Sequence, residues 1–140
     1  MPPTAAEFMP EDAVVALLVT ISVSDAKVRT AELLAIGRIV DHLPFFGAYD
    51  DARIKEVSNI VFDLLAEEDG LDTLWSMVKA ALPERFYETA YAMACDVVAS
   101  DGIARDNELR MLEEMRYELE IDRLSAAAIE RAARVRHMTP

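Results

Sequence analysis

Two segments of the sequence carry carboxylates at the same spacing. Asp25 precedes Glu32, and Asp101 precedes Glu108, each as Asp-x6-Glu. In each segment the Asp is predicted to lie in a turn between two helices, and the Glu in the first turn of the helix that follows. Were the two turns to lie at one end of a bundle, four carboxylates would approach one another. Hard divalent cations such as Ca²⁺ or Mg²⁺ take oxygen ligands of this kind. Like charges held that close need a cation or protons between them. The same residues also suit a structural role, because Asp caps backbone amides and Glu in a first turn complements the helix dipole.

Other chemistries have less to stand on. Asp101, Gly102 and Glu108 fit the second half of an EF-hand loop, but Val97 and Ala99 fall where that loop needs its first ligands, so an EF-hand is excluded. Zinc normally draws on several His or Cys ligands. Here His42, His137 and Cys95 are far apart in the sequence, and a bound ion is expected to be Ca²⁺ or Mg²⁺ rather than Zn²⁺. No Ser, Cys or Lys stands near an evident base, and no Gly-rich phosphate loop occurs. The expectation is a protein that is not an enzyme.

The elements that must position these carboxylates are helices, because apolar residues recur at helical spacing almost throughout. Seven are predicted. The first, at about residues 11–24, is apolar nearly all round and therefore central. The second follows residues 29–30 and ends near 43–44, with Leu33, Ile36, Val40 and Leu43 on its inner face. After a loop containing Phe45, Phe46 and Tyr49, Asp50 or Asp51 can cap a third helix with Ile54, Val57, Val61, Leu64 and Leu65 as its stripe. The run Glu67-Glu68-Asp69-Gly70 ends that pattern. A fourth helix presents Leu71, Leu74, Trp75, Val78 and Leu82, and Pro83 suits the first position of a fifth. That fifth helix, to about residue 100, is the second central one; with the first it should be the most buried. The sixth covers about 106–120, and the seventh starts near 122 and ends before 139.

The residues from Ser24 to Leu33 align, 76 positions on, with those from Ser100 to Leu109. Ser, Asp, Arg, Glu and Leu are identical across the ten positions. The stripe continues at the same offset, Ile36 with Leu112, Ile39 with Met115 and Leu43 with Leu119. The economical reading is one all-α domain spanning 1–140, a bundle of about seven helices. Its two helix-turn-helix halves, about 11–65 and 84–137, would be related by a pseudo-twofold axis, so that residues 12–43 superpose on 88–119.

Charge narrows the partners. With 26 acidic against 14 basic residues the net charge is -12, which repels phosphate backbones and attracts cations or basic protein patches. Arg131, Arg134 and Arg136 are read as solvating a terminal helix, so nucleic acid is not an expected partner. The longest uncharged run, residues 13–24, is shorter than the roughly 20 residues a membrane-spanning helix needs. No basic residue precedes it, so no secretory signal is expected. Cys95 is the only cysteine, which suits a cytoplasmic location.

The sequence Val98-Ala99-Ser100-Asp101-Gly102, followed by Glu108-Leu109 on an amphipathic helix and by the junction Leu119-Glu120-Ile121-Asp122, resembles the TerB-like family. The likeness covers roughly residues 14–129. It implies an all-helical bundle of two similar halves and an acidic metal-binding site. It also implies a role in tellurite resistance or a related stress response, exercised through partner complexes; protein partners are therefore expected, with a homo-oligomer as the other association considered. Asp101 and Glu108 match the motif directly, and Asp25 and Glu32 are their first-half counterparts. Two positions depart from the pattern: Ala26 stands opposite Gly102, and Glu120 occupies a position where the family often has Gly.

Overall fold

A computed structural model of the chain describes residues 8–24, 27–28, 30–100, 102 and 105–140. Among these there are seven α-helices: α1 Pro10–Ser22, α2 Thr30–His42, α3 Ala52–Leu65, α4 Gly70–Ala81, α5 Tyr87–Ala99, α6 Asp106–Glu118 and α7 Arg123–Arg136. Two residue pairs, β1 Val23–Ser24 and β2 Lys27–Val28, form a minimal antiparallel ladder in the α1–α2 turn. This ladder ends α1 two residues earlier than its apolar run suggests. It is too short to leave an alternating pattern in the sequence.

The molecule is built round α1. Every residue from Asp12 to Ser22 is buried, and α1 lies against α2, α3, α4, α5 and α6. A helix with no wet face must satisfy its polar groups internally. Thr20 and Ser22 do so by donating their hydroxyls to the carbonyls of Ala16 and Leu18, at 2.7 and 2.8 Å. α5 is the second central helix, packed on α1 and on α7, and only its Glu88 is exposed. The two nearly uncharged helices are thus the most buried, and both are covered within the single chain.

Asp12 is the buried charge of α1, and both of its carboxylate oxygens are engaged. Its carboxylate accepts the Met9 amide at 2.9 Å, which caps the helix start, and the Tyr49 hydroxyl at 2.6 Å. Arg53 donates to both oxygens, at 3.0 and 2.6 Å. The Arg53 fork comes from α3 and Tyr49 from the loop before it, so one buried charge fixes that whole corner to α1. Tyr49 also packs on Phe46, which sits edge-on to Phe45, itself edge-on to Phe86.

Several boundaries and faces differ in detail from the sequence reading. Pro83 does not begin α5; its ψ of 141° is extended, and a 3-10 turn at Glu84–Phe86 intervenes. The inner face of α2 is Glu32, Ala35, Ile36 and Val40, whereas Leu33 and Leu43 are 49% and 37% exposed. The α3–α4 corner depends on Gly70, because a Cβ there would meet the Leu64 carbonyl oxygen at 1.5 Å. α6 ends in a Schellman turn: Ile121 N–H donates to the Arg116 carbonyl and Glu120 N–H to that of Tyr117, at 3.0 and 3.1 Å. Glu120 therefore sits at φ 52°, in the left-handed region that favours glycine.

Two stability predictions follow from these contacts. Burial opposes the charge on Asp12, but the Arg53, Tyr49 and Met9 hydrogen bonds outweigh it and hold the carboxyl below its ordinary value. A depressed folded value stabilises above the unfolded one, and that stabilisation is lost as pH falls through the folded value. Asp12→Asn should therefore cost about 3 kcal/mol at neutral pH, and in denaturant melts its deficit should shrink below about pH 4. Glu120→Gly should stabilise by about 1 kcal/mol, by relieving the left-handed backbone; a lower melting temperature would contradict that account.

Candidate functional site

The site forms where α2 and α6 begin. Glu32 and Glu108 lie in the first turns of these helices, and each is only 2% exposed. Two carboxylates this far from water need positive charge, and Arg105, the residue immediately before α6, supplies it. Its Nη1 is 3.4 Å from Glu108 Oε1 and 4.0 Å from Glu32 Oε1. One guanidinium nitrogen thus serves a glutamate from each of the two repeated segments.

These two contacts are longer than the tightest described ion pairs and similar to Arg116–Glu130 at 3.9 Å. Arg53–Asp12, Lys79–Glu118 and Arg136–Asp96 close to 2.6, 2.7 and 2.6 Å, within the range of charge-assisted hydrogen bonds. The Arg105 side chain keeps 23% of its surface in solvent, against 2% and 3% for the two glutamate side chains. The second oxygen of Glu108, Oε2, is buried and accepts no hydrogen bond. Such an atom carries a desolvation cost that nothing in the described protein repays.

Of the four carboxylates singled out by spacing, the structure brings Glu32 and Glu108 to one guanidinium. Asp25 and Asp101 fall outside the described residues, as do Ala26 and Arg29. Gly102, between the second Asp and its Glu, has φ 77°, a backbone that a non-glycine residue adopts only with strain. Among the described residues, no three His, Cys, Asp or Glu side chains group as metal ligands.

Arg105 is the functional residue that the spacing argument passed over. It is one of the five identities of the repeat, paired with Arg29, and three residues ahead of its glutamate. Helical position alone could have marked it as a partner. Its reach to Glu32 is long-range and had no signal in the sequence.

A second feature lies between α5, α6 and α7, where an open cavity of about 660 Å³ is lined by Cys95, Val98, Leu109, Leu112, Ala133 and His137, among others. Cys95 and His137, distant in sequence, therefore share one cavity. His137 Nε2 is 3.3 Å from Asp96, which also pairs with Arg136. On the neighbouring wall, Tyr91 donates its hydroxyl to Glu130 at 2.7 Å. Burial pushes the Cys95 thiol up to about 12, helped by the Glu130 charge, so at neutral pH it is not a nucleophile.

The architecture is that of an all-helical bundle with one buried acidic pair bridged by an arginine. Comparison of the chain with protein families, with curated proteins and with solved structures finds no match. Among the described residues, no helix is long and apolar enough to cross a membrane.

Removing the bridging charge tests the electrostatic account. Arg105→Gln should destabilise the ion-free protein by about 3 kcal/mol, near the lower end for a broken buried pair because Arg105 is partly wet. Chemical denaturation in chelator would measure it, and an unchanged midpoint would show that the glutamates do not depend on Arg105.

Proposed function

We propose that this chain is a non-enzymatic, TerB-like stress-response module. It binds a divalent cation, Ca²⁺ or Mg²⁺, at Glu32 and Glu108 together with Asp25 and Asp101, and it acts through protein partners. The observation that carries this reading is the meeting of Glu32 and Glu108. They are the corresponding glutamates of two segments 76 residues apart, both are buried, and both face the same positive charge. Matched helix lengths support the pseudo-twofold arrangement of the halves: α1, α2, α5 and α6 all have 13 residues. The φ of Glu120, at a position where TerB-like chains often have Gly, is a further point of agreement.

Partner binding has its own support. Leu33 and Leu109 follow the two glutamates at equivalent positions, and they are 49% and 47% exposed. Apolar side chains of that size beside an ion site offer a surface whose presentation the ion can alter. The net charge of -12 favours a basic patch on the partner, and the single buried cysteine suits a cytoplasmic setting.

A second reading is favoured by Arg105 itself. With a guanidinium already between the glutamates, the cluster can serve as a purely structural pin holding α2 to α6 in a protein-interaction domain without an ion site.

Thermal melts separate the two. A cation that binds only the folded state raises the melting temperature with concentration, by an amount set by its occupancy. Millimolar Ca²⁺ or Mg²⁺ should raise the wild-type value, and the double change Asp101→Asn with Glu108→Gln should abolish the rise. A wild-type melt that neither ion moves would leave the structural pin.

A further inference from the structure

The cavity between α5, α6 and α7 continues beyond its own walls. A second open depression of about 720 Å³ adjoins it, and Glu113 and Arg116 of α6 line both. The first has Val98, Leu112 and Ala133 as a buried apolar floor, with Leu109 and Met138 exposed in its lining. The second is bordered by Tyr117, which is 80% exposed, and by Glu84, Glu118 and Glu120. Large apolar and aromatic side chains left in water beside a concave floor mark an interaction surface. Tyrosine is among the residues that most often anchor such contacts.

Charge decides what kind of partner fits. Two of the acids here are already paired, Glu118 with Lys79 at 2.7 Å and Glu130 with Arg116 at 3.9 Å. Glu84, Glu113 and Glu120 are exposed and make no ion pair among the described residues. Against these three stands one unpaired base, Arg134 of α7. The surface is therefore acidic where it meets solvent, in a chain whose net charge is -12, and it attracts a basic partner.

We propose that this continuous groove is the docking surface for a basic amphipathic helix of a partner protein. The apolar face of that helix seats on Val98, Leu112 and Ala133 beside Leu109. Its lysine or arginine residues meet Glu84, Glu113 and Glu120, and the Tyr117 ring offers a face to one of them. The dimensions agree. From Leu109 to Glu118 the α6 wall runs about 14 Å at roughly 1.5 Å per residue, which about two to three turns of a partner helix cover. This deepens the partner-binding part of the reading above and needs no ion. It assigns that binding to the second half of the chain, since Leu33 lines neither depression.

The test uses the full chain and synthetic peptides of about 14 residues, with leucine at helical spacing and lysine on the other face. Calorimetry and ¹H–¹⁵N spectra follow the titration. The leucine–lysine peptide should bind and shift the amides of Leu109, Glu113 and Tyr117. The same peptide with glutamate for lysine, or with serine for leucine, should not bind. Glu113→Gln with Glu120→Gln should weaken binding at least about fivefold, and Tyr117→Ser about tenfold. Glu67→Gln with Glu68→Gln, an equal charge change at the α3–α4 corner, should leave it unchanged. All these side chains are exposed, so the fold survives each substitution. Absence of binding overturns the proposal, as does unchanged affinity in the groove variants or an equal loss in the corner pair. Shifts confined to Leu33 and its neighbours overturn the groove but leave partner binding standing. The cation reading is decided separately, by the thermal melts.

Discussion

A helix surrounded by protein on every side sets the terms for everything else in this bundle. α1 presents no residue to solvent between Asp12 and Ser22, so five other helices must supply its environment, and each polar group on it needs a partner of defined geometry. That requirement places Arg53 and Tyr49 opposite Asp12, which fixes the start of α3 and the loop leading to it. It also favours the hydroxyl-to-carbonyl bonds of Thr20 and Ser22, which cost the core no additional partner. Packing against α1 also orients α5, and α5 in turn carries α7 through Tyr91–Glu130 and Asp96–Arg136. The termini of the outer helices are then positioned by a core that contains little of the chain's charge.

Against that background the two buried acid sites show different electrostatic designs. Around Asp12, four hydrogen bonds converge on one carboxylate, and both its oxygens are engaged. Such a group gives a fixed anchor, since no rearrangement improves its contacts. At Glu32 and Glu108 both carboxylates reach the Arg105 guanidinium at longer range. Glu108 Oε2 accepts no hydrogen bond there, and an incompletely satisfied buried group is where binding energy can be gained.

Much of this was legible in the residues. The near absence of charge in α1 and α5 located the two central helices, because a long apolar run with no polar face has only the interior to go to. The Asp-x6-Glu repeat located Glu32 and Glu108, and Asp122 at the α7 start accepts the Ser125 amide as a cap should. What escaped depended on partners far along the chain. Helical periodicity placed Leu33 inward, yet Glu32 is the buried residue, and its partner Arg105 lies 73 positions further on, just before α6. The burial of Asp12 depends on Tyr49 and Arg53, 37 and 41 positions further along the chain. The brief β1–β2 ladder and the 3-10 turn after Pro83 reflect backbone hydrogen bonding over two or three residues, a scale on which side-chain pattern carries no information.

The thiol of Cys95 has a consequence of a different kind. It lies 4% exposed at the wall of the α5–α6–α7 cavity, with its proton held to about pH 12. Alkylation and oxidation both require the thiolate and a path to it, so the closed bundle denies an electrophile on both counts. Reaction must wait for the helices to part, and the rate of modification at neutral pH then measures how often they do. The lone cysteine is in this sense a built-in chronometer for the breathing of the second half of the bundle.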